Sequence, residues 1–380
     1  MLEIIEGAAR ILTPQKGPER GPASSDVPVF YNPAMGPCRD LCVLAVHALG
    51  KSILRPLRAL DGLAGTGIRS IRLALESGAG FETIVANDRS TEAFELIQDN
   101  IQRNGAGKSV GALRSGLNNI LSSDRFDYID IDPFGSPVEF IPAAIGAVRH
   151  KGMLGITATD TGPLCGTNPN TCWRRYGALS LRTEHMHETA ARILVGHCVR
   201  AGAFQDVALR PELVQSDDHY VRIYLRAETS ASKADACLKE LGYFTKDRRT
   251  LGMHEGAPEK DRAAGPLWLG ELFDREFLET MSTEYYRRVA KGPGFHSVRK
   301  LGKLVELMKE EAGMPPFFHE LDTVAQRIKA GPPALKTVIE ALGKAGFKAS
   351  KTHFCPTGFR TDASPDQLEA LFRTLGPGKK

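Results

Sequence analysis

Residues Leu60–Ser70 read LDGLAGTGIRS. The run before them, SILRPLRAL (Ser52–Leu60), has the make-up of a strand, and IRSIRLALE (Ile68–Glu76) has helical apolar spacing. A strand handing over to a helix through Gly65 and Gly67 is the opening move of an α/β sheet. Glycine lets backbone approach a ligand closely, and the helix start offers free N–H groups. FETIVAND (Phe81–Asp88) is the next strand, and Asp88 closes it 21 residues beyond Gly67. That spacing suits an acid gripping ribose hydroxyls.

The same alternation continues outward. STEAFELIQDNIQRN (Ser90–Asn104) is a helix opened by the Ser/Thr cap before Glu92, and FDYIDID (Phe126–Asp132) is a strand. PVEFIPAAIGAVRH (Pro137–His150) reads as helical, GMLGITATD (Gly152–Asp160) as a strand, and HETAARILVGHCVRAG (His187–Gly202) as a helix. RDLCVLAVHAL (Arg39–Leu49) is a helix ahead of the series. Strand and helix in turn predict a parallel sheet with helices on both faces. The two strand-like runs around a polar turn within residues 204–228 would add an antiparallel edge.

The glycine turn fits two cofactors. A dinucleotide would set its pyrophosphate on the helix start, with Ser70 as the third small residue. S-adenosylmethionine binders open with D-x-x-x-G-x-G, which Asp61, Gly65 and Gly67 satisfy. A further stretch, YIDIDPFGSP (Tyr128–Pro137), ends a strand in Asp130 and Asp132 and stops at Pro133-Phe134-Gly135. Asp, Pro and Gly at the first, second and fourth places suit a type I turn, which needs no function. Ligands of open α/β sheets, however, lie off the carboxyl ends of the strands, and the residue before a proline is pushed towards extended geometry. Asp132 would then reach over the crevice. Amino-methylating enzymes use a D/N-P-P-Y/F corner there, of which DPFG is a variant.

The chemistry explains the parts. An exocyclic amine on a base has its lone pair delocalised into the ring and is a poor nucleophile. A carboxylate accepting one N–H, helped by a backbone carbonyl, aims that lone pair and stabilises the charge that develops on nitrogen. The base must leave its stack, and an aromatic face such as Phe134 can hold it, worth ~1–3 kcal/mol per base.

On these residues the chain resembles the tRNA (guanine-26-N2)-dimethyltransferases, the Trm-one family. The resemblance rests on VPVFYNPAMGPCRD, GLAGTGIRSIRLALE, VANDRS, IDIDPFGSPVEF, LGITATDTGPLCGTNPNTCWRRYGA, HETAARILVG, GPLWLG and THFCPTGFRTDA, and so covers nearly the whole chain. It implies a Rossmann-like class I methyltransferase sheet with a smaller α+β C-terminal domain that grips tRNA. It also implies S-adenosyl-L-methionine as cofactor and transfer of one or two methyl groups to guanine N2. Carried over by position, Phe30 and Phe134 sandwich the flipped guanine, and Asp132, with Pro133 beside it, polarises the amine. Arg39 and Arg69 approach the methionine end of the cofactor, where an ion-pair or solvent-exposed role is the plainer alternative; Asp130 is structural or supporting. Relatives carry Asp-Ala where SGLNNIL (Ser115–Leu121) has Gly116 and Leu117, so Leu117 would meet the adenine through backbone. Many also place two cysteine pairs before GPLWLG. Here there are none, and His254 with Cys237 makes no zinc site. A nicotinamide-dependent oxidoreductase and a catalytically weakened tRNA-binding relative stay open as alternatives.

Bulk properties bound the rest. The chain has 380 residues, enough for two domains, and a net charge of +4, mildly basic and compatible with a nucleic-acid partner. The opening MLEIIEGAARILTP carries acids where a signal peptide has Lys or Arg, and no apolar run reaches membrane-spanning length. Seven scattered cysteines without a C-x-x-C pair suit free thiols in a reducing cytoplasm, and the protein is taken as a monomer. The expected division is an extended Pro/Gly-rich segment over 1–34, a methyltransferase domain over 35–227, and a tRNA-binding domain over 228–380. In the last, helices around 299–312 and 320–330 followed by a basic hairpin resemble a winged helix. Arg174, Arg175, Arg287, Arg288, Lys291, Arg299, Lys300 and Lys303 are candidate phosphate contacts.

Overall fold

The computed structural model describes residues 1–14, 29, 31–217, 219–245, 247, 250–255, 262–292, 294, 295 and 298–375, except for the side chain of His254. Its centre is a seven-stranded sheet. The strands in chain order are β1 (Leu57–Asp61), β2 (Phe81–Asp88), β3 (Val110–Arg114), β4 (Phe126–Ile131), β5 (Val148–Ala158), β6 (Val207–Asp217) and β7 (Tyr220–Thr229). They lie in the order β3-β2-β1-β4-β5-β7-β6. The first five are parallel; β7 runs antiparallel to β5, and β6 to β7, which makes the expected antiparallel edge. Helices α1 (Gly36–Ser52), α2 (Ile68–Glu76), α3 (Thr91–Arg103), α4 (Leu117–Ser123), α5 (Ile141–Ala147), α6 (Thr161–Leu164), α7 (Pro169–Tyr176) and α8 (Met186–Ala203) complete this part. All six residues of β4 are buried, as a parallel strand covered on both faces requires.

Local chemistry fixes the element ends. Ser90 caps α3, its hydroxyl accepting the Ala93 N–H at 3.2 Å. Helix α5 starts at Ile141, later than the run from Pro137 suggested, and Val148–His150 belong to β5. Within β4, the buried Asp127 accepts from Arg55, Arg149 and the Arg58 backbone N–H, so its carboxylate is paired instead of orphaned.

The first residues differ from the expected extended segment. Leu2–Glu6 and Ala9–Thr13 pair as an antiparallel hairpin whose Ala9 and Ile11 are fully buried. Its edge is docked on α3 by side-chain amides that stand in for a neighbouring strand. Asn100 accepts from Leu12 N at 2.7 Å and donates to Leu12 O at 3.1 Å; Asn104 does the same for Arg10 at 2.8 and 2.6 Å. The alternation in LEIIEGAARILT around Gly7 is the signal for this hairpin.

After β7 come α9 (Ala231–Lys239) and an antiparallel sheet of β8 (Leu241–Thr245), β9 (Thr250–Gly252) and β10 (Ala263–Trp268), with β8 central. The order then runs α10 (Arg275–Thr280), α11 (Thr283–Val289), α12 (Val298–Glu311), β11 (His319–Glu320), α13 (Leu321–Arg327), α14 (Leu335–Lys344), β12 (Ala349–Lys351), β13 (Gly358–Thr361) and α15 (Pro365–Leu375). Helix α12, a strand, two helices and a hairpin, with the sheet ordered β11-β13-β12, make a winged helix followed by one further helix. The expected division between residues 227 and 228 falls near the end of β7, yet one apolar core continues across it as far as Phe354. A separate core, including Val338, Phe359 and Phe372, begins only at Leu321.

Candidate active site

The turn between β1 and α2 carries the glycines. Gly67 has φ +75° and precedes the first residue of α2; a Cβ there would stand 3.4 Å from Ile97. Gly65 has φ +54°, and a Cβ there would meet nothing within 4 Å, so this corner of the backbone borders open space. Asp88, half-buried at the end of β2, accepts the Gly65 N–H on Oδ2 at 3.1 Å and the Ser90 N–H on Oδ1 at 3.0 Å. Leu117, the buried first residue of α4, packs over Gly62, where a Cβ would lie 2.8 Å from it. Asn87, fully buried, joins the turns: Nδ2 donates to Gly62 O at 2.9 Å and Ser115 O at 3.1 Å, and Oδ1 accepts the Ser115 N–H at 3.0 Å.

Below the turn, acids and arginines interlock. Arg69, in the first turn of α2, pairs with Asp132, and its Nε lies 3.2 Å from Asp130 Oδ1. Asp130 is fully buried and also pairs with the fully buried Arg222 of β7, while the Tyr128 hydroxyl donates to it at 2.5 Å. Burial alone would raise the Asp130 pKa, but Arg222 and then Arg69 hold it below the ordinary carboxylate value. Asp130 is therefore a buried carboxylate whose charge is compensated within the protein. Asp61 differs: burial, reinforced by the charge of Asp130, pushes its carboxyl up to about 7, and Ser70 Oγ–H donates to it at 2.8 Å.

Asp132 keeps about a fifth of its side chain exposed, and Arg69 takes its Oδ2. Pro133 is buried, whereas Phe134 is 59% exposed. The corner after them is clamped by the segment beyond β5. Gly135, with φ +90°, donates its N–H to Thr159 Oγ1 at 2.6 Å and accepts the Thr159 N–H at 2.9 Å. The Tyr176 hydroxyl donates to Asp160 at 2.6 Å and lies 3.0 Å from Ser136 Oγ. Both loops leave the carboxyl ends of adjacent parallel strands, where ligands of such sheets sit.

The two arginines expected at the cofactor are both in buried ion pairs. Arg69 serves Asp130 and Asp132, as above. Arg39, in α1, donates Nε to Glu6 Oε1 at 2.7 Å, pairs with Oε2 as well, and gives Nη2 to Asn32 O at 2.9 Å. Its guanidinium lies 5.1 Å from the Tyr31 ring, whose hydroxyl donates to Glu6 at 2.6 Å. Phe30 lies outside the described residues. Arg222, Asn87, Thr159 and Tyr128 escaped the sequence reading. A charge set inside the apolar run VRIYLR and a polar residue just before the strand-end acid were the signals for the first two.

The balance of charge says what this site suits. Asp61, Asp88, Asp130 and Asp132 gather where Arg69 and Arg222 are the buried guanidiniums, and both of those are already paired. An anionic pyrophosphate would meet this surplus of carboxylates unfavourably, whereas a cationic group would gain from it. Among the described residues, no group of three His, Cys, Asp or Glu could hold a metal ion. Among the described residues, too, no helix is long and apolar enough to cross a membrane.

Comparison with known proteins agrees with this geometry. A family model described as N2,N2-dimethylguanosine tRNA methyltransferase matches residues 7–373. A tRNA (guanine(26)-N(2))-dimethyltransferase of Thermococcus kodakarensis is 39% identical over 381 residues, 96% of each chain. One of Pyrococcus abyssi is 37% identical over 383 residues, again 96% of each. The solved structure of Trm1 from Pyrococcus horikoshii with S-adenosyl-L-methionine superposes with a TM-score of 0.85 at 32% identity, covering 98% of this chain and 99% of that one.

Proposed function

The chain belongs to the N2,N2-dimethylguanosine tRNA methyltransferase family, and from that premise we propose that it transfers one or two methyl groups from S-adenosyl-L-methionine to N2 of guanine at position 26 of tRNA. It is a tRNA guanine-N2 methyltransferase; the position, the number of methyls and the residue roles are our reading. The observation that carries the roles is the junction of Arg69 with Asp132, which fastens the carboxylate of the DPFG corner to the helix opened by the glycine turn.

The residues present fit the cofactor. Open space beside Gly65 leaves room for it, and Asp88 adjoins that space to take ribose hydroxyls. Asp61 and the other acids suit its positive charge, and Leu117 lies over the turn, where its backbone can meet the adenine. When bound, S-adenosylmethionine supplies an electrophilic methyl group on a sulfonium. Asp132 Oδ1 accepts one N–H of the guanine amine while Arg69 holds Oδ2, and the Pro133 carbonyl takes the second N–H. The amine is thereby oriented, and the developing positive charge on nitrogen faces a carboxylate. Phe134, exposed at the rim, and Phe30 stack on the flipped base. Arg39 and Arg69 act from behind, Arg39 by ordering the Tyr31–Asn32 segment through Glu6. The released proton leaves through Asp132 to solvent.

Residues 35–227, helped by Glu6 and Phe30 of the segment before them, carry this chemistry, and 228–380 grip the tRNA. Exposed Arg287, Arg288 and Lys291 at the end of α11, and Arg299, Lys300 and Lys303 on α12, offer phosphate contacts. The same reading takes the protein as a cytoplasmic monomer whose transfer step needs no metal.

Purified protein, tRNA transcript and S-adenosylmethionine test this, with nucleoside mass spectrometry as the readout. N2-methylguanosine or its dimethyl form should appear at position 26, and a transcript with inosine there, which lacks the amine, should stay unmodified. Methylation of another atom, or bound tRNA without any product, would overturn it; the latter is the outcome for a weakened relative. A nicotinamide-dependent oxidoreductase is set aside by the family.

A further inference from the structure

The chain holds two tryptophans, and they sit in opposite surroundings. Trp268 is 1% exposed and donates its indole N–H to Glu271 O at 2.8 Å. Trp173 is 56% exposed. It stands on α7, whose Cys172 and Tyr176 are fully buried, so the helix is anchored and the indole is held on its outer side. Tyr176 reaches Ser136, two residues beyond Phe134, the other large aromatic ring exposed on these loops at 59%. Two exposed rings thus stand on segments leaving adjacent strand ends, and the Tyr176 hydroxyl links those segments. Leaving an indole in water is unfavourable unless a partner covers it.

The neighbouring charges say what partner that is. Arg174 and Arg175 follow Trp173 on the same helix and are exposed; Arg175 pairs with Asp160 at 2.8 Å, and Arg174 bonds only the Thr171 hydroxyl among the described residues, at 3.2 Å. An exposed flat ring and exposed guanidiniums on one short helix match nucleic acid, which offers base faces and phosphates together. Resting on the tRNA reading above, we propose that Trp173 is a stacking platform for a tRNA nucleobase neighbouring the flipped guanine, with Arg174 on the adjoining phosphate.

Because Trp268 is buried, emission separates the two indoles. Adding tRNA should quench wild-type fluorescence and protect it from acrylamide. Trp173→Phe should keep most tRNA affinity, since a ring remains, and lose that response. Trp173→Ala should weaken tRNA binding and raise KM for tRNA by about fivefold or more, with no change in the thermal shift given by S-adenosylmethionine. A response to tRNA persisting in Trp173→Phe, or tRNA affinity unchanged in Trp173→Ala, would overturn the proposal and point to a protein on this face. Absence of methyl transfer by the wild type would instead strike the parent reading, so the two failures are distinguishable.

Discussion

Arg69 bridges Asp130 and Asp132: one guanidinium in the first turn of α2 pairs with the carboxylate at the rim and lies 3.2 Å from the one beneath it. Arg222 holds Asp130 from two strands away, across β5, so α2, β4 and β7 share one buried ionic knot. The glycine turn and the DPFG corner are therefore coupled parts. A shift of either reaches the other through a group that is only 6% exposed.

That coupling sets the expectation for Asp132. Asp132→Asn keeps the shape but offers the amine a neutral carbonyl oxygen, and Asp132→Ala offers it nothing. Both should lower kcat by about 10²–10⁴-fold while tRNA and S-adenosylmethionine still bind. Single-turnover methyl transfer with a filter-binding control measures this. A variant retaining more than a tenth of the rate would remove Asp132 from the reaction.

Arg222 tests the knot itself. Arg222→Met leaves the fully buried Asp130 with Arg69, Tyr128 and the Cys42 thiol, and such a loss costs about 3–5 kcal/mol. Removing both charges in Asp130→Leu/Arg222→Met should cost less than the single change, because no carboxylate is left under-compensated. Urea denaturation of the three proteins gives the answer; a double variant weaker than the single would mean that the pair itself supplies the stability.

How legible was this in the sequence? Elements with a strong period were: four of the five parallel strands, the antiparallel edge and the helices and hairpin of the winged helix follow from local patterns, whereas the strand Val110–Arg114 was not read. The glycine turn, Asp88 and the DPFG corner were legible as short local patterns at strand ends, although Asp88 bonds Gly65 from 23 residues away and the corner bonds Thr159 from 24. Partners across long separations were not. Glu6 lies 33 residues from Arg39, and Arg222 lies 92 from Asp130, so sheet order and register decide those pairs. The hairpin at the start was obscured by the Pro/Gly-rich stretch after it, and its docking depends on Asn100 and Asn104, which read as an ordinary helix face.

Gly65 separates stability from binding. Alanine there meets no atom within 4 Å, so the folded protein pays only for φ +54° in a residue with a side chain, about 1–2 kcal/mol. The new methyl would stand in the space proposed for the cofactor. Gly65→Ala should thus lower Tm by a few degrees yet weaken S-adenosylmethionine binding by more than tenfold, as read by calorimetry. Unchanged affinity would move the cofactor away from this turn.

Asp61 supplies a pH signature. Its folded pKa, about 7, lies above the ordinary carboxylate value of 3.8, because burial, then the charge of Asp130, opposes ionisation. The folded protein therefore holds a proton that the unfolded chain has lost. The stability this gives is complete below the ordinary pKa and fades as pH rises through about 7. Between pH 6 and 8.5 the loss comes to about 1 kcal/mol, which Asp61→Asn should not show. Binding of the cationic cofactor has the opposite slope, since it gains once Asp61 ionises. Wild-type affinity for S-adenosylmethionine should rise across the same interval while Tm of the free protein falls, and Asp61→Asn should flatten both curves. A wild-type Tm that does not fall more steeply than that of Asp61→Asn would mean that Asp61 is already ionised at pH 6.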